Sequence, residues 1–504
     1  MINLEIGDIL KNKKYIIIYT VFLLFFLVAF YTHDNFNRIK FDLLVLVILF
    51  IGGSFSIIYY SKTKNLHRTC FIILLIFGLI MCFTTPAFVV CDEIEHYARS
   101  DLTSQGILFP EYINNEGYSV SPAFNYLLPL RGYPILNFDF FTPSANNDHS
   151  LFNGCFPQNP FYPYLLSGLG IFISSLLNLN AAWSIYMGRI LNILFYCVIC
   201  SYAVKKSPEY KLPIMFVACI PLAVYQAASF SADGFLISVT LLAIAYYINI
   251  YKSDIVSNKD LGIFFALIFL VSLLKLPYVL LVFLIYLIKK DKFSSKNAYV
   301  LSRIIPLLIV ILCAIYSLNA SKLLKNTIRN THFIENNVDP KNQLNNMINH
   351  PMDTLILFSG IFSFTLELFL DLFRFSYEIW TRISYLLAYM YLIFFIFFSI
   401  TYDSIKLEFK KRDKYILAFI LLLIYLAIIF IQYLSWAPFA YPKLDLIVGV
   451  YARYYIPLLA FLPLIFSSKR IKDLLNIKEY NSIIISGILV FLSGSIIFTL
   501  ASFY

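Results

Sequence analysis

Charged side chains are scarce in this chain. Asp, Glu, Lys and Arg make up 13% of its 504 residues, whereas hydrophobic residues make up 60% and aromatic residues 18%, and the mean hydropathy is +0.76. A water-soluble globule of this size would expose apolar surface over most of its area, so the composition excludes that class. It predicts an all-α polytopic membrane protein in contact with a lipid bilayer.

Glycine is also scarce, and the common catalytic signatures are absent from the sequence. The chain has 17 glycines, no internal repeat, and its acidic residues lie at the ends of apolar runs. Transporters tend to show inverted repeats, glycine-interrupted helices and charges at mid-membrane, so these features disfavour a transporter. No HExxH, Walker A, GxSxG or nucleotide-binding motif is present.

The apolar runs predict about thirteen transmembrane helices. They lie near residues 15–32, 42–60, 69–89, 185–204, 212–228, 235–251, 261–275, 277–288, 299–318, 384–401, 415–433, 454–467 and 482–502. Two of them, 261–275 and 277–288, are shorter than the roughly 20 residues of a full span and are separated by Pro277, which predicts a bent pair. Three lysines within residues 11–14 precede the first run as in a signal peptide, but no small-residue cleavage site follows, which predicts a retained span.

Basic residues in short loops predict the orientation of the chain. Lys and Arg cluster in residues 62–68, 205–211, 289–296, 406–414 and 469–478, which the positive-inside rule places in the cytoplasm. This orientation also accounts for the net charge of +10, so no nucleic-acid partner is expected. To keep these loops on one side, we interpret the apolar stretches 161–179 and 355–372 as juxtamembrane or re-entrant helices.

The orientation predicts two long external loops. We divide the chain into N-terminal transmembrane helices (1–89), a first external loop (90–184), further transmembrane helices (185–318), a second external loop (319–383) and C-terminal transmembrane helices (384–504). The first loop is rich in amides and in aromatic side chains, namely Tyr112, Tyr118, Phe124, Tyr126, Tyr133, Phe138, Phe140 and Phe141. Such faces suit a sugar, and an interfacial aromatic belt is the alternative.

An acidic cluster directly follows the third apolar run. It contains Asp92, Glu93, Glu95 and His96. An acid at the bilayer centre costs roughly 2.5–3.5 kcal/mol on insertion scales, so the cluster is expected at the water boundary, where a carboxylate can act as a base. An acidic anchor at a helix end is the alternative interpretation.

Six short motifs carry a resemblance to a known family. They are DEIEHYAR (92–99), NPFYPY (159–164), MGRILN (187–192), QAASFSAD (226–233), KLPY (275–278) and GVYARYYIP (449–457). In these motifs, over about residues 69–470, the chain resembles the bacterial DUF2142 family of membrane proteins. It departs from the family pattern at Cys91, at Glu95 and at Ala452, where glycine is usual, but the acids and the arginine are kept.

The DUF2142 family in turn resembles the GT-C glycosyltransferases. This resemblance implies a GT-C-like fold in the bacterial cytoplasmic (inner) membrane with the active site on its extracytoplasmic side. It also implies transfer of a sugar from a polyprenyl-phosphate-linked donor to a glycan acceptor of the cell envelope, such as O-antigen or wall polysaccharide. A polysaccharide polymerase and a lipid-linked sugar transporter or flippase remain as alternatives.

Such a transfer needs a base, a cation for the departing phosphate and an apolar groove for the lipid. We predict Asp92 as the catalytic base, with Glu93 as the other catalytic residue, and Arg453 as the phosphate ligand with Lys275 as the second candidate. The other predicted substrate-binding residues are His96, Arg99, Arg189, Asp233 and Tyr454. Arg99 and Arg189 have an alternative role as partners of the carboxylates, and Arg453 as an interfacial anchor.

Two further questions stay open at the level of sequence. Glu93 and His96 share a helix face beside Asp92, which allows a bound divalent cation, Mg²⁺ or Mn²⁺. Cys91 and Cys155 both fall in the first external loop, where an oxidising compartment would permit a disulfide. Two unrelated thiols are the alternative.

Overall fold

Helices form most of the regular structure of this chain, as its long apolar runs predict. The structure, a computed structural model, describes residues 6–30, 39–114, 116–142, 149–326, 334–373, 382–403, 407, 409–445 and 448–504. Parts of both predicted external loops (143–148, 327–333 and 374–381) and Lys406 lie outside the described residues.

The α-helices are numbered here in chain order. They are Ile6–Phe30 (α1), Ile39–Thr63 (α2), Leu66–Thr84 (α3), Glu93–Ser104 (α4), Pro122–Leu127 (α5), Leu165–Leu176 (α6), Ala182–Lys206 (α7), Lys211–Ala218 (α8), Pro221–Ala227 (α9), Asp233–Lys252 (α10), Asn258–Leu274 (α11), Lys296–Ala320 (α12), Pro340–Asn349 (α13), Pro351–Ser359 (α14), Ile361–Asp371 (α15), Arg382–Thr401 (α16), Lys411–Trp436 (α17), Leu462–Phe466 (α18), Lys469–Leu475 (α19) and Tyr480–Phe503 (α20). Two long 3₁₀ helices, Leu276–Leu287 and Ala452–Phe461, lie between them.

Ten helices of the described residues are long and apolar enough to cross a membrane. They are Lys11–Phe30, Lys40–Thr63, Leu66–Thr84, Ala182–Lys206, Asp233–Lys252, Lys296–Leu323, Pro351–Asp371, Ser384–Thr401, Lys411–Trp436 and Tyr480–Phe503. This set supports an all-α polytopic membrane protein. Pro351–Asp371 belongs to it although the sequence predicts a juxtamembrane helix there, and its two halves, α14 and α15, meet at Gly360.

Four predicted spans take other forms in the structure. Segment 212–228 is broken into α8 and α9 ahead of Pro221, whose ring removes a backbone donor. Segment 454–467 is a 3₁₀ helix that continues into α18. Segments 261–275 and 277–288 are α11 and a 3₁₀ helix, which pack together across an extended Lys275 and so form the predicted bent pair.

The packing follows the distribution of apolar side chains around each helix. Helix α10 has no charged residue between its ends and is apolar all round, so it is buried in the bundle, where it packs against α7, α9 and α11. Helices α12 and α17 instead expose rows of large apolar side chains, as lipid-facing helices do. Helix α1 is held to the bundle by Tyr19, whose hydroxyl lies 2.8 Å from Leu49 O and 2.7 Å from Ser493 Oγ.

The segment predicted as the first external loop, called the first loop below, has a small core of its own. An antiparallel pair of short strands, Tyr118–Val120 (β1) and Ser150–Phe152 (β2), is the one sheet within the described residues, and it places Tyr118 opposite Phe152. Helix α4 packs against β1 and α6. This loop therefore positions the residues around the acidic cluster at the end of α3.

Candidate active site

A strained backbone at Asp92 separates the two acids of the cluster. Asp92 has φ 63° and ψ 15°, a left-handed conformation that non-glycine residues adopt at a cost of about 1–3 kcal/mol and that concentrates at functional sites. Glu93 follows as the first residue of α4. The adjacent carboxylates consequently have different partners, Arg453 for Asp92 and Arg189 for Glu93.

Arg453 bridges two carboxylates from distant parts of the chain. Its Nη2 donates to Asp92 Oδ2 over 2.6 Å, and its Nε lies 2.8 Å from Asp233 Oδ2. The guanidinium carbon lies 4.7 Å from the ring centroid of Tyr451 and 5.4 Å from that of Tyr454. Two carboxylates and two aromatic faces thus hold a buried arginine in one orientation.

Lys275 adds a second cation beside this bridge. Its Nζ lies 3.0 Å from the ring centroid of Tyr454, whose backbone carbonyl accepts a 2.7 Å hydrogen bond from Tyr278 Oη. The extended backbone at Lys275, between α11 and the 3₁₀ helix, places the side chain there. Lys275 and Arg453 therefore both lie close to the ring of Tyr454.

These residues line a cavity of about 290 Å³. Its wall is formed by Asp92, His96, Phe156, Gln158, Asn159, Ala232, Asp233, Leu236, Leu274, Lys275, Leu276, Pro277, Ser317, Ile428, Ile431, Gln432, Trp436, Gly449, Tyr451, Arg453 and Tyr454. The wall contains charged and amide side chains as well as aliphatic ones. The structure thus brings together six of the predicted site residues: Asp92, His96, Asp233, Lys275, Arg453 and Tyr454.

The imidazole of His96 is oriented by a short hydrogen-bonded chain. Asn159 Nδ2 donates to Tyr164 Oη over 2.8 Å, and Tyr164 Oη lies 2.9 Å from His96 Nδ1. Because a hydroxyl has one proton and two lone pairs, the tautomer of His96 decides which of Tyr164 Oη and His96 Nδ1 donates. Phe156 packs on the ring at 4.4 Å between centroids.

Glu93 and Arg189 form a separate, fully buried ion pair that does not line the cavity. The two bonds from Arg189 to the Glu93 carboxylate measure 2.9 and 2.7 Å. Arg189 also donates to the carbonyls of Thr85 and Pro86 over 2.7 and 2.9 Å. The sequence allowed Arg189 to bind substrate or to pair with a carboxylate, and in the structure it pairs with Glu93. The pair joins α4 and α7 to the end of α3.

Arg99 likewise lies outside the cavity wall. Its Nη2 donates to Leu108 O over 2.8 Å, and its guanidinium carbon lies 5.6 Å from the ring centroid of Tyr164. Burial lowers the pKa of this guanidinium. Arg99 therefore braces the chain that follows α4 and supports the tyrosine that orients His96.

The aromatic residues of the first loop that were predicted as sugar faces do not form the cavity wall. Tyr118 and Phe124 are buried in the core of the loop, and Phe140 packs against Trp183 and Tyr186. The aromatic faces of the cavity are those of Phe156, elsewhere in the same loop, and of Trp436, Tyr451 and Tyr454. The eight loop residues predicted as sugar faces therefore do not line this cavity.

The sequence analysis did not single out Gln432 and Gly449, which both line the cavity. Gln432 lies in the apolar helix α17, and an amide in such a run is a signal that it faces a polar space. Gly449 was seen only as part of a motif. It has φ +71°, and a Cβ at this position would come within 2.7 Å of Trp436 Cδ1, so glycine allows the tryptophan to close this end of the cavity.

The residues present do not fit a resident divalent cation. Within the described residues no group of three His, Cys, Asp or Glu side chains is placed to hold a metal ion. Glu93 is bound by Arg189, and Asp92 and Asp233 both face Arg453. Mg²⁺ and Mn²⁺ favour clustered oxygen ligands, and these carboxylates already have a cationic partner.

Cys91 and Cys155 are free thiols in the structure. Burial raises the pKa of both, that of Cys155 to about 12. Cys91 lies beside Arg453, whose Nη1 donates to the Cys91 carbonyl oxygen over 3.5 Å. The two cysteines are therefore not joined by a disulfide in this structure.

Comparison with known proteins gives a family. A family model described as "Predicted membrane protein (DUF2142)" matches residues 75–462, a range that contains the whole cavity wall and the Glu93–Arg189 pair. No curated protein and no solved structure matches the chain. Because the match covers most of its length, the chain belongs to the DUF2142 family of predicted membrane proteins.

Proposed function

We propose that this protein is a membrane glycosyltransferase that moves a sugar from a polyprenyl-phosphate-linked donor to a cell-envelope polysaccharide. The observation that carries the proposal is the bridge of Asp92, Arg453 and Asp233 in a cavity that also holds Lys275 and an aliphatic wall. The proposal includes a GT-C-like arrangement of about thirteen spans with two external loops. It places the reaction on the extracytoplasmic side of the bacterial inner membrane.

Two cations are available to a phosphate group in the cavity. Arg453 presents a planar fork that binds phosphate oxygens in pairs and stays charged beside apolar surface, and Lys275 supplies a second positive charge. In the reaction, the bond from the sugar C1 to the phosphate oxygen breaks, and the electron pair leaves with the phosphate. Cations already fixed in place stabilise this developing charge most strongly.

The two carboxylates beside Arg453 differ in access. The Asp92 side chain is 32% exposed and that of Asp233 only 13%, so Asp92 is the better placed to meet an acceptor hydroxyl. Asp92 takes the hydroxyl proton as the acceptor oxygen bonds to C1. Asp233 holds the arginine in place and acts as a positioning residue.

The bridge also suggests why Asp92 would become a base only when donor is bound. While Asp92 is paired with Arg453 its negative charge is stabilised, which weakens it as a base. A donor phosphate competes for the same guanidinium. As Arg453 shares its hydrogen-bond donors with the phosphate, the carboxylate loses part of this stabilisation.

The rest of the cavity suits one sugar and the start of a lipid chain. Gln158, Asn159 and the imidazole of His96 line the cavity as hydrogen-bonding groups for sugar hydroxyls, and Leu236, Ile428 and Ile431 offer apolar contact. At about 290 Å³ the cavity lies at the lower end of the roughly 300–1,000 Å³ of small-molecule sites. This size favours transfer of a single sugar over the joining of whole repeat units by a polymerase.

The test is transfer by the purified protein in detergent. A short-chain polyprenyl-phosphate hexose with a labelled sugar serves as donor, and O-antigen or wall glycan of the source bacterium serves as acceptor. We expect label in the glycan and free polyprenyl phosphate in equal amounts. Elongation of a lipid-linked oligosaccharide instead would indicate a polymerase. Movement of intact lipid-linked sugar across reconstituted vesicles, with no transfer, would indicate a flippase and overturn the proposal.

A further inference from the structure

A second polar cavity lies far from the candidate active site. It has a volume of about 520 Å³ and is bounded by the end of α10, the residues after the 3₁₀ helix Leu276–Leu287 and the start of α17. These same three elements begin or end at the first cavity, with Asp233, Lys275 and Trp436 in its wall. Each element thus runs from one cavity to the other, and the two cavities lie at opposite ends of the bundle.

The second cavity has an excess of positive charge. Its basic residues are Lys252, Lys289, Lys292, Lys410 and Arg412, and its acidic residues are Asp254 and Asp413. Five basic and two acidic side chains leave three positive charges in excess. They come from three segments that are distant in the chain, so the tertiary fold gathers them.

The more buried acid is already engaged by the protein. Asp413 Oδ2 accepts a 2.8 Å hydrogen bond from Tyr251 Oη, and Asp413 Oδ1 lies 3.2 Å from Arg412 Nε. Lys292 Nζ donates to the carbonyl of the same tyrosine over 2.6 Å, and burial lowers the pKa of Lys292. Tyr251 therefore fixes one acid and one lysine in the wall, and an anion in the cavity would offset the cost of burying that lysine.

We infer that this cavity binds the phosphate group of an acidic phospholipid. Basic pockets between transmembrane helices on the cytoplasmic side suit anionic lipid headgroups, and the loops concerned are those that the positive-inside rule places in the cytoplasm. Leu287 and Ile288 line the same cavity as the lysines. They provide apolar contact for the first carbons of an acyl chain, which a free phosphate would not use. The inference is independent of the proposed glycosyl transfer.

Lipid binding is measured by native mass spectrometry and by thermal unfolding of the purified, detergent-solubilised protein. Phosphatidylglycerol should remain bound and raise the unfolding temperature, whereas phosphatidylcholine, which has no net charge, should not. Inorganic phosphate and glycerol 3-phosphate form a second arm. If either binds as tightly as the lipid, the ligand is a soluble phosphate and the lipid assignment fails.

Charge variants test the location of the site. Lys252→Gln/Lys289→Gln/Lys410→Gln removes three exposed basic side chains of the wall. At about fivefold per charge, this change should weaken phosphatidylglycerol binding roughly a hundredfold. The matched control, Lys469→Gln/Arg470→Gln/Lys478→Gln, removes three exposed basic residues elsewhere on the predicted cytoplasmic side and should leave binding unchanged.

A variant that should gain affinity guards against misfolding as the cause of a loss. Asp254→Asn removes an exposed negative charge from the wall and should tighten phosphatidylglycerol binding by about fivefold. Equal weakening by the wall variant and its control would overturn the site, because any basic surface would then serve. Unchanged binding in both the wall variant and Asp254→Asn would overturn it as well.

Discussion

Arg453 reaches Asp92 across 361 positions of the chain, and Arg453 Nη2 lies 2.6 Å from Asp92 Oδ2. The same guanidinium lies 2.8 Å from Asp233 at the start of α10. One side chain therefore ties the end of the third span to two later parts of the bundle. Substitutions at these three residues can therefore change both the reaction and the packing of the bundle, and a control variant is needed to separate the two effects.

Replacing Asp92 with Asn should abolish glycan transfer while donor binding is kept. The amide retains the size of the side chain and an oxygen that accepts from Arg453, but it cannot take a proton. Loss of a positioned general base lowers turnover by about 10²–10⁴-fold. Turnover and KM for the polyprenyl-phosphate sugar are measured with the purified variant, and the loss is expected in turnover.

The matched control for this change is Asp139→Asn. Asp139 is an exposed acid of the same loop, and its Oδ1 accepts from the backbone N–H groups of Phe141 and Thr142, which an Asn oxygen can also do. This variant should transfer sugar at the parental rate. Parental turnover in Asp92→Asn would remove Asp92 from the mechanism and leave it as an anchor for Arg453.

Arg453→Lys should retain partial transfer, and Arg453→Ala much less. Lysine keeps the charge but cannot form the two-pronged contact, whereas alanine removes a charge-assisted bond worth about 1.5–3 kcal/mol, or roughly ten- to a hundredfold. The KM for donor rises if Arg453 holds the phosphate equally in the ground state and the transition state. The loss appears in turnover if the contact tightens as the phosphate leaves.

Removing Arg453 also leaves Asp92 and Asp233 without their shared cation. The double variant Arg453→Ala/Asp233→Asn relieves this repulsion and should be more stable than Arg453→Ala without regaining transfer. Arg131→Ala, which removes an exposed arginine of the first loop, serves as the control. Parental donor affinity and turnover in Arg453→Ala would mean that Arg453 is only an interfacial anchor, with Lys275 as the next candidate.

Glu93→Gln should destabilise the fold. Glu93 and Arg189 are both fully buried, and breaking a buried pair by removing one charge costs about 3–5 kcal/mol because the other charge is left without compensation. Thermal unfolding in detergent measures the effect. Glu116→Gln, an exposed glutamate of the same loop, should unfold like the parent. Parental stability with lost transfer would instead place Glu93 in the chemistry.

Stability of the first loop should depend on the ionisation of Asp101. This residue is buried, and burial raises the pKa of its carboxyl above 3.8 in spite of hydrogen bonds from Ser121 and Gln105. The folded loop therefore holds the proton to a higher pH than the unfolded chain does. The resulting stabilisation is complete below the unfolded pKa and is lost as pH rises through the folded pKa.

Hydrogen exchange of α4 and α5 across about pH 4–7 measures this dependence. Protection should fall with rising pH in the parent relative to Asp101→Asn, which has no proton to lose. The amide keeps an oxygen that can accept from Ser121, so the variant should still fold. Identical pH profiles for parent and variant would contradict the assignment to Asp101.

Much of the candidate site follows from positions at the ends of apolar runs. Asp92, Lys275 and Arg453 were each predicted at an outer helix end, and residues at the same membrane boundary can meet without further information. Their catalytic roles stay predictions. The sequence does not predict that Asp92 and Glu93 have different partners. The left-handed backbone of Asp92 at the start of the helix decides which arginine each acid reaches.

Other features depend on tertiary packing that the apolar pattern does not encode. A 3₁₀ helix such as Leu276–Leu287 has the same composition as an α-helical span and was predicted as one. The aromatic residues of the first loop were predicted as sugar faces, yet Tyr118 and Phe124 fill the core of the loop. Only the positions of neighbouring segments distinguish a ring that is buried from one that faces a ligand.

The orientation of the whole chain is tested by thiol labelling in intact cells. The exposed residues Glu116 and Glu335 serve as probe sites in the two loops predicted to be external, since nearby Asn114 and Asn337 adopt a positive φ that cysteine tolerates poorly. Asp413 is buried and would resist labelling on either side, so the exposed Lys411 is the better cytoplasmic probe.

A membrane-impermeant maleimide should react with Glu116→Cys and Glu335→Cys and not with Lys411→Cys. The background carries Cys91→Ser, since the other seven native cysteines are buried. Lys411→Cys must react after the cells are opened, which shows that its thiol is accessible. If it reacts equally in intact cells, the basic loops lie outside. The cavity of Asp92 and Arg453 would then face the cytoplasm, where the proposed extracytoplasmic transfer cannot take place.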